Sequence, residues 1–176
     1  MHHVIIYTDG SCLGNPGNGG WAAILTLEGS DTRKEISGGF AMTTNNRMEI
    51  TGVLEALGRL TEPCRVSIYS DSQYVCNAIS RGWLKGWVKN NWIKSDKKPV
   101  KNTDLWKKLL PFLKTHEVTM HWLRGHAGHP ENERCDELAR ACASGSSLPR
   151  DPGFSSACLE AGGVDFGASA GYFSAS

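Results

Sequence analysis

The sequence predicts an α/β fold: a mixed five-stranded sheet, three antiparallel strands followed by two parallel ones, flanked by helices. Three observations carry this reading. Residues 3–9 (HVIIYTD) are apolar on both alternating sides, as a central strand must be, while 20–28 and 33–42 alternate as neighbouring strands with Gly29–Asp31 turning between them. Beyond residue 44 the pattern gives helix, strand, helix, strand and helix in order. Two apolar runs also end alike, in IYTDGS at 6–11 and IYSDSQ at 68–73, each delivering an Asp at a strand end.

The later elements follow from local chemistry. Thr44 or Asn45 caps a helix running to about Leu60, with Val53, Leu54 and Leu57 on one side, and Glu62-Pro63 stops it. Residues 65–70 (RVSIYS) make the fourth strand and 72–80 a short helix. A Trp- and Lys-rich stretch is helical to about Val88 and irregular through Lys101. Thr103 caps another helix, which Pro111 is expected to kink or end early. Residues 117–123 (EVTMHWL) form the fifth strand. The loop RGHAGHP then opens the last helix, with Pro130 at its first position, acids in its first turn, and Cys135, Leu138, Ala139 and Cys142 as its apolar stripe.

A chain of 176 residues suits one domain, placed at 1–143, with an extension. From Ser144 onward 19 of 33 residues are Gly, Ser or Ala, which predicts a flexible tail over 144–176 with scattered Phe154, Leu159, Val164, Phe166, Tyr172 and Phe173. There is no apolar run of membrane-spanning length, and the start, MHHVIIYTDG, lacks the features of a signal peptide. The six cysteines form no CxxC pair and read as reduced thiols. A cytoplasmic monomer with no membrane contact and no obligate protein partner is expected.

Net charge is only +1, but it is segregated. Residues 81–108 hold nine Lys or Arg against two acids, so this stretch alone is +7 and the remainder is acidic. Within it Trp83, Trp87 and Trp92 interleave with Lys85, Lys89 and Lys94, followed by Lys97, Lys98 and Lys101. That composition suits a polyanion, with lysines on phosphates and exposed rings on sugars or bases. Trp83 and Trp87, four apart, equally suit the buried side of a helix.

Four acids stand out by position. Asp9 and Asp71 end strands that a crossover makes parallel neighbours, so both emerge at the same end of the sheet. Glu49 lies on the first long helix and Asp136 beside the stripe of the last. Taken singly, these are a turn opener, a helix cap and surface ion pairs, Asp136 with Arg140. Gathered together, they would repel one another unless a hard divalent cation, Mg²⁺ or Mn²⁺, were held between them. His126, His129 and Cys135 would be the alternative, a zinc site, but they lack a recognised spacing. His129 reads as a capping residue before Pro130.

The stretches YTDGSCLGNPG, TTNNRMEI, YSDSQYV, DKKPVKNTDLW and RGHAGHPENERCDELAR occur in this order between about residues 4 and 143. In them the chain resembles bacterial ribonuclease H of type 1. The resemblance implies a ribonuclease H-like fold and an Mg²⁺-dependent enzyme that cuts the RNA strand of an RNA–DNA hybrid, leaving a 5′-phosphate and a 3′-hydroxyl. It implies Asp9, Glu49, Asp71 and Asp136 as catalytic metal ligands and His126 as a mobile histidine. It further implies RNA and groove contacts by Asn15, Asn45 and Gln73, DNA-phosphate contacts near Thr44 and Asn102, and a basic protrusion at 81–101 gripping DNA through Trp83, Lys85, Lys89, Lys97, Lys98 and Lys101. Met42 stands where such proteins often carry a basic residue. A silent hybrid-binding module and a DNA-directed nuclease of the same broad fold remain the competing readings.

Overall fold

The computed structural model describes residues 1–154. Its sheet has the order β3-β2-β1-β4-β5. The strands are β1 (His3–Leu13), β2 (Gly17–Leu27), β3 (Arg33–Thr43), β4 (Arg65–Ser70) and β5 (Glu117–Trp122). β1, β2 and β3 pair antiparallel, while β4 pairs parallel with both β1 and β5. The helices are α1 (Asn45–Gly58), α2 (Gln73–Ser80), α3 (Trp83–Lys89), α4 (Thr103–Thr115) and α5 (Pro130–Ala143). The expected mixed sheet is present with its helices in the expected order.

Alternation along the strands divides the core in two. Val4 and Ile6 on β1, and Val66 and Ile68 on β4, meet Met48, Val53 and Leu57 of α1 and Trp106 of α4. On the other side Ala22 and Ile24 of β2 meet Cys135 and Ala139 of α5, with Tyr7 and Leu138 alongside. Each fully buried Leu, Ile or Val contributes roughly 1.5–3 kcal/mol. This double-sided packing explains why the β1 run is apolar on both faces.

Three expectations change. β1 does not stop at Asp9 but continues to Leu13, because the small residues of β2 pair along it as far as Asn18. Its parallel ladder with β4 ends at Tyr7, so Asp9 lies just beyond that ladder. α4 runs through Pro111 to Thr115. The carbonyl deprived of its donor there belongs to Lys107, an exposed residue, while buried Leu105, Trp106 and Leu109 hold the helix in place. Asn102, not Thr103, occupies the cap position of α4, in the left-handed conformation at φ +62°.

Of the stretch expected as a tail, residues 149–151 lie against β3 and the start of α1. Ala41 and Arg150 form a parallel bridge, with Ala41 N–H donating to Pro149 at 2.7 Å and Asp151 N–H to Ala41 at 3.2 Å. Asp151 is buried and accepts from Arg47 Nε at 2.7 Å and from the Thr43 hydroxyl at 2.6 Å. Arg47, 3% exposed, also forks onto Asp104 at 2.9 and 2.7 Å. Gly153 passes so close to Asp104 and Arg47 that a Cβ there has no room, and Phe154 is buried. Leu159, Val164, Phe166, Tyr172, Phe173 and Cys158 lie outside the described residues. The other five cysteines are free thiols. Among the described residues no helix is long and apolar enough to cross a membrane.

Candidate functional site

Three elements deliver carboxylates to one place. Asp9 comes from β1 just past its ladder with β4, and Asp71 follows directly on Ser70, the last residue of β4. Glu49 is the fifth residue of α1, whose start is set by the Thr44 hydroxyl accepting from Arg47 N–H at 3.2 Å. α1 comes close because Gly10 lacks a side chain: a Cβ there would stand 2.5 Å from Glu49 N. One oxygen from each of Asp9, Glu49 and Asp71 lies within 4.8 Å of the others.

The electrostatics of this cluster are unfavourable by themselves. Glu49 is pushed well above the usual carboxylate range by burial, then by the charges of Asp9 and Asp71. Asp9 is raised to about 8, by burial first and by Asp71 next, although a hydrogen bond with Glu49 and the Gly10 N–H at 2.9 Å work the other way. Asp71 is raised as well, chiefly by burial, with the charge of Asp136 adding to the rise and His126 opposing it. Glu49 Oε2 is buried with no hydrogen-bond partner. Buried oxygens at this spacing, one of them orphaned, suit a hard divalent cation. The donor set of Asp9, Glu49 and Asp71 therefore fits a hard divalent cation.

A pH dependence follows. Because the folded value of Asp9 lies above its ordinary 3.8, its contribution is fully present at acid pH and is lost as pH rises towards about 8. Glu49 and Asp71 act in the same sense. His116, buried and accepting from Cys64 N–H, is held below its ordinary 6.5 by burial and opposes them only under that pH. Metal-free protein should therefore lose thermal stability between pH 6.5 and about 8. Melting curves in chelator over this window check it, and a rising curve contradicts it.

Asp136 stands outside the tight group. It is half-buried on α5 and paired with Arg140 one turn on, at 3.0 Å. Its charge still reaches Asp9 and Asp71. His126 is exposed on the loop between β5 and α5, with φ +56°. His129 precedes α5 at the cap position, but its side chain makes no cap bond. The zinc alternative does not assemble among the described residues: Cys135 is fully buried with its thiol towards the Tyr7 carbonyl, and it joins no cluster of potential ligands.

The remaining predicted contacts are spread over the loops and helices. Asn15 is exposed, and its carboxamide oxygen accepts from Asn45 N–H at 3.2 Å, tying the Gly-rich turn to the start of α1. Gln73 is exposed at the first position of α2. Asn102 is half-buried, with its amide already engaged by Arg47 at 3.4 Å and Tyr74 at 3.2 Å. Lys85, Lys89, Lys97, Lys98 and Lys101 are all exposed. The tryptophans divide: Trp83 is 42% exposed, whereas Trp87 packs on the buried Trp106 with ring centroids 5.8 Å apart. Trp92 is half-buried beneath Lys107. Sequence reasoning missed Arg47 and Asp151, which brace the start of α1, because their partners lie 57 and 104 residues away.

Comparisons with known proteins bear on the family and the fold. The family model described as RNase H matches residues 1–144. A ribonuclease H of Nitratidesulfovibrio vulgaris (strain DP4) is 63% identical over 151 residues, covering 86% of this chain and 96% of that protein. The ribonuclease H of Pseudoalteromonas atlantica is 58% identical over 154 residues, covering 88% and 99%. Among solved structures, LC9-RNase H1, a type 1 RNase H with the type 2 active-site motif, superposes with a TM-score of 0.74 at 30% identity, covering 84% of this chain and 75% of that one. LC11-RNase H1, solved in complex with an RNA/DNA hybrid, shares the fold at a TM-score of 0.59 and 23% identity, covering 80% and 96%. With its carboxylate cluster, its sheet order and these likenesses in agreement, the chain belongs to the ribonuclease H family and is a metal-dependent nuclease.

Proposed function

We propose that this protein is an endoribonuclease that hydrolyses the RNA strand of RNA–DNA hybrids, leaving a 5′-phosphate and a 3′-hydroxyl, and that it acts as a cytoplasmic monomer in removing RNA primers and R-loops. The observation that carries the reading is the convergence of Asp9, Glu49 and Asp71 within 4.8 Å, with Glu49 Oε2 unpartnered. A pure binding module gains nothing from three buried carboxylates aimed at a polyanion. Two Mg²⁺ ions, for which Mn²⁺ is a possible substitute, supply charge neutralisation and Lewis acidity there. Asp9, Glu49 and Asp71 would hold them, with Asp136 as a further ligand. His126, exposed on the loop between β5 and α5, moves a proton at the departing 3′ oxygen.

Selectivity for a hybrid requires each strand to be read differently. Asn15, Asn45 and Gln73 present amides for the 2′-hydroxyls and minor-groove edges that mark RNA. Thr44 and Asn102 stand near the DNA phosphates. Trp83 and the exposed lysines of 81–101 grip the DNA strand, and the unit that does all this spans 1–143 together with the segment that packs against it.

A labelled hybrid incubated with Mg²⁺ tests the reading, with chelator, single-stranded RNA and duplex RNA in parallel. Cleavage confined to the RNA of the hybrid and abolished by chelator is expected, and equal cutting of duplex RNA rules the reading out. Neutralising Lys97, Lys98 and Lys101 to Gln should weaken hybrid binding and reduce its log–log salt slope by roughly one for each phosphate that no longer meets a lysine. An unchanged slope would make these lysines mere surface charge.

A further inference from the structure

Trp122 ends β5 with half of its surface exposed, an unusual place for the largest apolar side chain. Its indole Nε1–H reaches across to donate to the carbonyl of Asp71 at 3.0 Å. The next residue, Leu123, donates its N–H to Ser70 at 3.0 Å. Three residues beyond Trp122 the chain passes Asp71 again: a Cβ on Gly125 would lie 2.6 Å from Asp71 Oδ2. The stretch 122–125 thus touches both the backbone and the carboxylate of Asp71, and it continues directly into His126.

We infer that Trp122 is a positioning residue for Asp71, and that together with the bare backbone of Gly125 it sets where that carboxylate points and ties the His126 loop to it. The inference rests on the reading of Asp71 as a metal ligand. The physical case is one of degrees of freedom. Asp71 follows the last residue of β4 and has no ladder partner of its own. The indole N–H supplies the missing tie. A phenylalanine would fill the same space and lack it.

Trp122→Phe is the direct test, read by calorimetric titration with Mg²⁺ in the absence of nucleic acid. Losing a partner behind a metal ligand lowers metal affinity by roughly tenfold or more. The variant should show that loss, together with a raised half-saturating Mg²⁺ in the cleavage assay and an unchanged maximal rate. Gly125→Ala, which pushes on the carboxylate instead of the backbone, should weaken Mg²⁺ binding in the same direction. Unchanged Mg²⁺ affinity in both variants, with or without a lower melting temperature, overturns the inference and makes Trp122 a purely structural residue. Wild type titrated alongside separates the two levels: if it binds no Mg²⁺, the functional reading itself has failed.

Discussion

Asp71→Asn is expected to abolish hybrid cleavage while leaving the protein folded and, in chelator near pH 8, more stable than wild type. The two effects share one cause. Asp71 sits with Asp9 and Glu49 inside 4.8 Å, and all three are pushed towards the protonated form by burial first, Glu49 and Asp9 then by the neighbouring carboxylates and Asp71 by Asp136. Replacing one carboxylate with an isosteric amide removes part of that repulsion, and it also removes a ligand that the cation needs. Loss of one preorganised charge of this kind lowers kcat by about 10²–10³ or more. The stability gain should reverse on adding Mg²⁺, since wild type gains binding free energy that the variant lacks. Single-turnover cleavage and paired melting curves, with and without Mg²⁺, read both effects. Full activity in Asp71→Asn, or a lower melting temperature in chelator, would contradict this coupling of charge repulsion to metal binding.

Asp151→Ala should be the most damaging substitution far from the carboxylates. Arg47 is 3% exposed and divides its guanidinium between Asp104 and Asp151. Removing Asp151 leaves a buried cation half-compensated, frees the Thr43 hydroxyl, and unpins the chain that bridges Ala41. Breaking a buried pair in this way costs about 3–5 kcal/mol. At about 2–4 °C per kcal/mol for a chain of this size, the melting temperature should fall by roughly 6 °C or more. Cleavage measured well below that temperature should survive, because Asp151 touches none of the carboxylates. Truncation after Ala143 should match or exceed the loss of stability. A truncated chain as stable as the full one would show that the Arg47 pair contributes nothing.

The fold was legible because periodicity is local. Residues 3–9 declare two-sided burial in their own composition, 65–70 alternate as a strand, and the change to a 3.6 period after Thr44 needs no partner to be seen. That Asp9 and Asp71 come together was legible for a related reason: a crossover makes β1 and β4 parallel neighbours, and both acids lie just beyond their shared ladder at one end of the sheet. Pro111 misled because helix-breaking is a tendency, and here the orphaned carbonyl falls on an exposed residue of a helix whose other face is buried. Trp83 and Trp87 were ambiguous because spacing cannot say which side of a helix meets a core. Packing on Trp106 separates them.

By itself, the sequence determined the succession of strands and helices, the shared sheet end of Asp9 and Asp71, and the separation of a basic stretch from an acidic remainder. Each depends on neighbours within a few residues or on the parity of a strand. Only the tertiary structure decided that Trp122 donates to Asp71 and that residues 149–151 lie against β3 and Arg47. Those outcomes depend on ion pairs and hydrogen bonds between distant parts of the chain. In the Gly- and Ser-rich segment after Ser144, a single Asp found a buried arginine, and one well-placed charge outweighed the composition around it.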